Sequence, residues 1–455
     1  MYRHHFSCFK LNKMYRKSSV IAVGASLLLL IGCSNSGNTG AEVPSPAATV
    51  SSSPASTTGT APDNTAAAEP SPKITNPATP VPTTSPDQSD DPLAAQIAGM
   101  TLEAKIGQML LVGIDGTKLD ANAKRMIAED EVGGIILYKD NIQNLSSMVT
   151  LINDLKKSND GNDVPLFMSV DQEGGKVSRM PAEYTAIPAN SKVGATGNAD
   201  AAGMMGWLLA REVLSAGFNM DFAPVLDINS NPDNPVIGER SFGSTADVVT
   251  RLGIAEMRGM SDEGAIPVIK HFPGHGDTAV DSHLELPVVN KTAAQLAKLE
   301  WLPFQAAIKE KADAVMVAHI LYPKLDPEKP ASLSKTIISG LLRDQMGFGG
   351  VVITDDLTMG AITEHYTLPA AAVDTVLAGS DILLVAHEYA NEQAVRKALL
   401  NSVKKGKITE SRIDESVYRI LKLKEKYHLS DKPRTVPNVA SLNNDIKAWL
   451  KTISK

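Results

Sequence analysis

From residue 91 onward the chain alternates short apolar runs with amphipathic segments, and it does so eight times. The apolar runs fall at 109–114, 133–137, 166–170, 219–225, 266–269, 314–318, 351–354 and 382–385. Between and after them, apolar residues recur at helical spacing over 121–128, 146–157, 201–216, 248–263, 293–311, 334–345, 369–377 and 390–404. Strands that are apolar throughout are buried on both faces, which marks a parallel sheet covered by helices. Eight such units in succession predict an α/β fold: a (β/α)8 barrel of the TIM type, one catalytic domain over 91–430. An open doubly wound sheet is the alternative. It is weakened at the first turn, where Gly113-Ile114-Asp115-Gly116 is no G-x-G-x-x-G. A further helical pattern at 410–427, with Ile413, Val417, Ile420 and Leu423 on one side, fits the outside of the barrel. Residues 431–455 read as a polar extension with one weak amphipathic segment near Trp449.

The region ahead of the barrel has another texture. Arg3, Lys10, Lys13, Arg16 and Lys17 precede an apolar stretch at 20–31, which ends in Leu30-Ile31-Gly32-Cys33. A basic head, a short apolar core and small residues before a cleavage point mark a secretory signal. Met14 would serve as a start, because the signal is complete without the residues before it. The L-I-G-C ending resembles a bacterial lipobox, which implies lipidation of Cys33 and anchoring to the outer face of the bacterial cell membrane. Residues 34–90 are Ser, Thr, Pro and Ala-rich, too poor in apolar groups to bury a core, and predict a disordered tether. As a coil it spans roughly 40 Å. Cys8 and Cys33 are the only cysteines, so the barrel has neither a disulfide nor a thiol nucleophile. Losing residues 1–33 removes five cations and no anion, taking the formal charge from −7 to −12. Such an acidic chain is a poor partner for nucleic acid.

Polar residues gather where the predicted strands end. Asp171 follows the third. Asp227 and Gly238-Glu239-Arg240-Ser241-Phe242 follow the fourth. The sequence K-H-F-P-G-H-G-D-T-A-V-D-S-H, Lys270 to His283, follows the fifth and reads as a glycine-punctuated loop. His319 follows the sixth, Asp355 and Asp356 the seventh, His387 the eighth. One aspartate after a strand commonly caps the next helix, and Asp355 alone would equally suit an ion pair with Arg343. Polar groups after six consecutive strands are instead the pattern of a barrel active site.

At these residues the chain resembles glycoside hydrolase family 3, in its bacterial β-N-acetylglucosaminidase branch. The matching stretches are D-Q-E-G-G-K-V-S-R (Asp171 to Arg179), F-A-P-V-L-D (Phe222 to Asp227), G-E-R-S-F, Lys270 to His283, and I-T-D-D-L-T-M (Ile353 to Met359). Lys176 departs from the arginine common there. The resemblance implies an exo-acting retaining enzyme that releases terminal N-acetylglucosamine from peptidoglycan-derived fragments. It implies Asp355 as nucleophile, His283 as acid/base with Asp281 as its partner, and Asp171, Arg179, Arg240, Lys270 and His271 as sugar-binding residues. His275 and Asp277 would shape the loop. No metal or other cofactor, a carbohydrate substrate, membrane contact through Cys33 and a monomer complete the expectation. Where larger relatives take the acid from a second domain, this barrel would supply its own.

Three other readings stand beside it. Phosphorolysis shares the fold, since a histidine acid tolerates an anionic acceptor. A metal-dependent hydrolase would use His271, His275, Asp277, Asp281 and His283, although no H-E-x-x-H is present. A non-catalytic wall-binding lipoprotein would have no need of Asp355 or the Asp281–His283 pair.

Overall fold

The computed structural model describes residues 91–454. The signal, Cys33 and the tether lie outside the described residues. Eight parallel strands form the barrel: β1 (Leu110–Val112), β2 (Gly134–Ile136), β3 (Phe167–Val170), β4 (Met220–Asp221), β5 (Ile266–Phe272), β6 (Ala314–Val317), β7 (Val351–Thr354) and β8 (Leu383–Val385). Pairing runs β8-β1-β2-β3-β4-β5-β6-β7. Ile353 of β7 bridges Ile382 just ahead of β8 and closes the ring. Ile382 N–H donates to the Val352 carbonyl and Thr354 N–H to the Ile382 carbonyl, both at 3.0 Å. Every strand residue is buried, as continuous apolar runs require.

Below this junction sits Asp381, fully buried. It takes Arg343 at 2.5 Å and Arg419 at 3.0 Å. It also accepts the Val352 N–H at 3.0 Å and the Ser416 hydroxyl at 2.8 Å. Arg343 is therefore spent here and does not pair with Asp355.

Local chemistry sets the outer helices. Helix Ala199–Ala216 starts on the Asn198 side chain and ends at Gly217, φ 106°. Helix Ala246–Glu263 ends the same way at Gly264, φ 97°. Only glycine takes that left-handed turn without cost. The pattern at 293–311 resolves into two pieces, Ala293–Leu296 and Trp301–Lys309. Pro303 lacks the N–H a continuous helix would use and clashes with the turn before it. Helix Thr336–Gln345 winds with wide π turns.

The strand at 219–225 is shorter than its apolar run, because Pro224 offers no donor; pairing resumes only as a bridge from Val225 to Lys270. Conversely β5 outlasts its apolar run by three residues, so Lys270 and His271 are strand residues and not loop residues. Polar side chains extend the strand because acids after β3 and after β4 receive them inside the barrel mouth.

The C-terminal helix Ala440–Ile453 is more firmly seated than its sequence suggested. Leu442, Ile446 and Trp449 form a single buried stripe on an otherwise polar helix. Burying such a side chain contributes about 1.5–3 kcal/mol. Trp449 Nε1 donates to the Ala201 carbonyl at 3.0 Å.

Candidate active site

The C-terminal ends of the strands surround a cavity of about 370 Å³. Asp171, Arg179, Arg240, Lys270, His271, His283 and Asp355 all line it, so the structure brings seven of the eight expected active-site residues to one wall. The eighth, Asp281, stands behind His283, its Oδ1 2.7 Å from His283 Nδ1 and 2.9 Å from the His283 N–H.

The floor is an ion network centred on Glu173, which lies within the D-Q-E-G-G stretch and has no role implied by it. Glu173, 1% exposed, accepts Arg240 Nε at 2.8 Å and Nη2 at 2.7 Å, a bidentate grip. Lys270 Nζ reaches Glu173 Oε1 at 2.7 Å and Asp171 Oδ1 at 2.6 Å. Burial alone would raise the Glu173 pKa, but Arg240 and Lys270 outweigh it and hold the carboxyl well below its usual range. Burial likewise pulls Lys270 down, and Asp171 with Glu173 more than restores it. Both groups stay charged. The signal for Glu173 was its spacing: it stands two residues beyond Asp171 at the end of a strand, where alternate residues share a side.

Glu173→Gln would leave two buried cations short of a counter-charge and is expected to destabilise the barrel by about 3 kcal/mol, with a matching fall in thermal midpoint. The depressed pKa also fixes the sign of a pH effect. The stabilisation is full above the unfolded glutamate's pKa and is lost as pH falls through the folded value. The variant should therefore lose part of the wild-type decline in acid; an unchanged midpoint and acid profile would refute this.

Asp227, fully buried, was placed after the fourth strand with no assigned role, and the structure shows what it holds. It accepts the N–H of His271 at 3.1 Å, His271 Nδ1 at 2.7 Å and the N–H of His275 at 2.5 Å. His271 Nε2 is thereby turned toward Arg240 Nη2, 3.4 Å away. His275 spends Nδ1 on Thr278 and Nε2 on Ser282, at 2.9 and 3.0 Å. Burial, followed by the His271 charge, lowers its pKa to about 4, so it is a neutral brace. Asp277 meets Ser230 at 3.2 Å and Lys291 at 3.0 Å.

Two glycines let the loop leave β5 at this angle. Gly274 has φ 133°, and a Cβ on Gly276 would fall 1.7 Å from the Ile228 carbonyl oxygen. The far end of the loop rests on the segment after β7: Gly360 N–H donates to the His283 carbonyl at 3.2 Å and Ala361 N–H to that of Ser282 at 3.3 Å. These bonds join the His283 loop directly to the segment that follows Asp355.

Asp355 directly follows β7, its N–H on the Val317 carbonyl at 3.0 Å and its Oδ1 accepting the Asp356 N–H at 2.9 Å. Burial pushes its pKa up, yet the imidazoles of His319 and His271 and the Asp356 N–H pull it below the ordinary aspartate value. Asp356 also lines the cavity, but its carboxylate is taken up by the Thr358 N–H and hydroxyl and the Ala386 N–H at 3.0, 2.8 and 3.1 Å. His319, fully buried, donates from Nε2 to the Asp356 carbonyl at 2.9 Å and accepts the Ser332 hydroxyl at 2.6 Å. Tyr138 and His387, stacked with centroids 5.4 Å apart, complete the wall. Burial and then the charges of Asp356, Asp171 and Asp355 hold the Tyr138 hydroxyl well above its usual pKa, so it remains a donor. Arg179 Nε is buried with no partner among the described residues. Among the described residues no three His, Cys, Asp or Glu side chains converge as metal ligands.

The barrel mouth thus gathers carboxylates, imidazoles and cations around one cavity. The chain belongs to glycosyl hydrolase family 3, whose N-terminal-domain model matches residues 101–423. It is 35% identical over 346 residues to beta-hexosaminidase A of Pseudoalteromonas piscicida, covering 71% of this chain and 58% of that longer one. It is 34% identical over 330 residues to a beta-hexosaminidase of Idiomarina loihiensis, covering 72% of this chain and 96% of the relative. Among solved structures, a family 3 beta-N-acetylglucosaminidase from Paenibacillus sp. superposes with TM-score 0.73 at 42% identity, covering 77% of this chain and 68% of that one.

Proposed function

We propose that this chain is a retaining, exo-acting β-N-acetylhexosaminidase that releases terminal N-acetylglucosamine, with fragments of peptidoglycan as its natural substrate. The observation that carries this reading is the pairing, across one cavity, of an ionised Asp355 with a carboxylate-backed imidazole at His283. In the first step a carboxylate oxygen of Asp355 attacks the anomeric carbon and the bond to the aglycone oxygen breaks. His283 Nε2 gives that oxygen a proton, while Asp281 on Nδ1 fixes the tautomer and stabilises the charged ring. In the second step water gives its proton back to His283 and displaces Asp355. Asp171, Arg179, Arg240, Lys270 and His271 hold the sugar hydroxyls by charge-assisted hydrogen bonds of fixed direction.

The test is product analysis on N-acetylglucosaminides and muropeptide fragments, with and without phosphate. The reading requires free N-acetylglucosamine released as the β-anomer. A sugar 1-phosphate formed when phosphate is added would assign phosphorolysis instead. Inverted product would end the covalent scheme.

We further propose export and a lipid anchor at Cys33, supported by the basic head, apolar core and L-I-G-C ending. Cys33→Ala is expected to abolish membrane association or stall processing of the signal. Fractionation that finds the variant processed and membrane-bound like the wild type would refute it.

A further inference from the structure

The floor and the rim of the cavity differ in kind. Lys270 and Glu173 are 1% exposed, while the side chains of His283 and His387 at the rim are 63% and 64% exposed. A site that removes a terminal sugar takes that sugar into the buried part, so the rest of the substrate leaves across the rim. The chemistry above uses His283 and leaves His387 without a part.

His387 follows β8 and is held from two directions. Its ring stacks on Tyr138 at an interplanar angle of 20°. Its Nε2 lies 3.6 Å from Asp356 Oδ2, and Asp356 is itself fixed by three donors from Thr358 and Ala386. Tyr138 follows β2, so the stacked pair spans the mouth across β1. One face of the imidazole is spent on Tyr138. The other remains at the rim, and Nδ1 makes no hydrogen bond among the described residues. A flat, braced, exposed ring suits a pyranose, whose C–H face can lie against it.

We propose that His387, backed by Tyr138, is the platform for the first sugar of the leaving group, a subsite for a pyranose aglycone. This rests on the glycosidase reading. The discriminating substrates are N-acetylglucosaminyl fluoride, whose leaving group is one atom, and the β-1,4 disaccharide of N-acetylglucosamine. For His387→Ala, the ratio of kcat/KM on the disaccharide to kcat/KM on the fluoride should fall about 5- to 10-fold. His387→Phe should restore the ratio and His387→Asn should not, because stacking and not the nitrogen is what the platform supplies. An unchanged ratio would overturn the proposal, as would rescue by Asn and not by Phe. A wild-type enzyme that cleaves neither substrate would instead remove the glycosidase reading and this subsite with it.

Discussion

Asp355→Asn should retain the fold and lose turnover by roughly 10⁴-fold or more. The amide keeps the shape of the carboxylate, and its oxygen can still accept the Asp356 N–H that Oδ1 accepts now. What it lacks is the negative charge that attacks the anomeric carbon. In the wild type, a 5-fluoro glycosyl fluoride should trap the intermediate, and peptide mapping should place the label on Asp355. The pH profile carries a second mark. The carboxylate is the active form and its folded pKa is depressed. Activity should therefore fall only as pH drops through that depressed value, below where an ordinary aspartate would lose it. A label on another residue, or wild-type turnover in the amide variant, would refute the assignment.

His283→Ala should behave differently on different leaving groups. A general acid contributes about 10²- to 10⁴-fold when the leaving oxygen needs a proton. Hydrolysis of a natural disaccharide should fall by that order. Formation of the glycosyl-enzyme from an activated nitrophenyl glycoside, whose leaving group needs little help, should fall far less. The second step then lacks its base, so the intermediate should accumulate and nitrophenol should appear as a burst. Azide needs no base and should restore turnover. Asp281→Asn should move both steps in the same direction by less, since the imidazole remains. Equal loss on both substrates, with no burst and no azide rescue, would make His283 a structural residue and send the search to Asp277 and Glu239.

All eight strands were legible because a parallel barrel demands apolar residues on both faces of each strand, and that demand is local. The ends were less legible, for non-local reasons. Lys270 and His271 read as loop because they are charged or polar, yet they continue β5 because Asp171 and Glu173 after β3 and Asp227 after β4 meet them. The expected sugar-binding residues were individually visible. Glu173 and Asp227 carried no assigned role, because their work is to hold other side chains and only the fold reveals whose. Trp449 advertised little for a similar reason: three apolar residues on a polar helix mean nothing until Ala201 offers a surface to receive them.

The junction between β7 and β8 makes the barrel a ring with a clasp. Asp381 is the clasp's pin, gripping the Val352 amide from one end of β7 while Asp355 projects from the other. Asp355 stands only three positions beyond Val352, a span of roughly 10 Å along an extended strand. The position of Asp355 is thus inherited from a salt-bridged anchor at the opposite end of its strand, outside the cavity. A change at Arg343 or Arg419 would be felt at the mouth as misalignment, with no cavity-lining residue itself replaced.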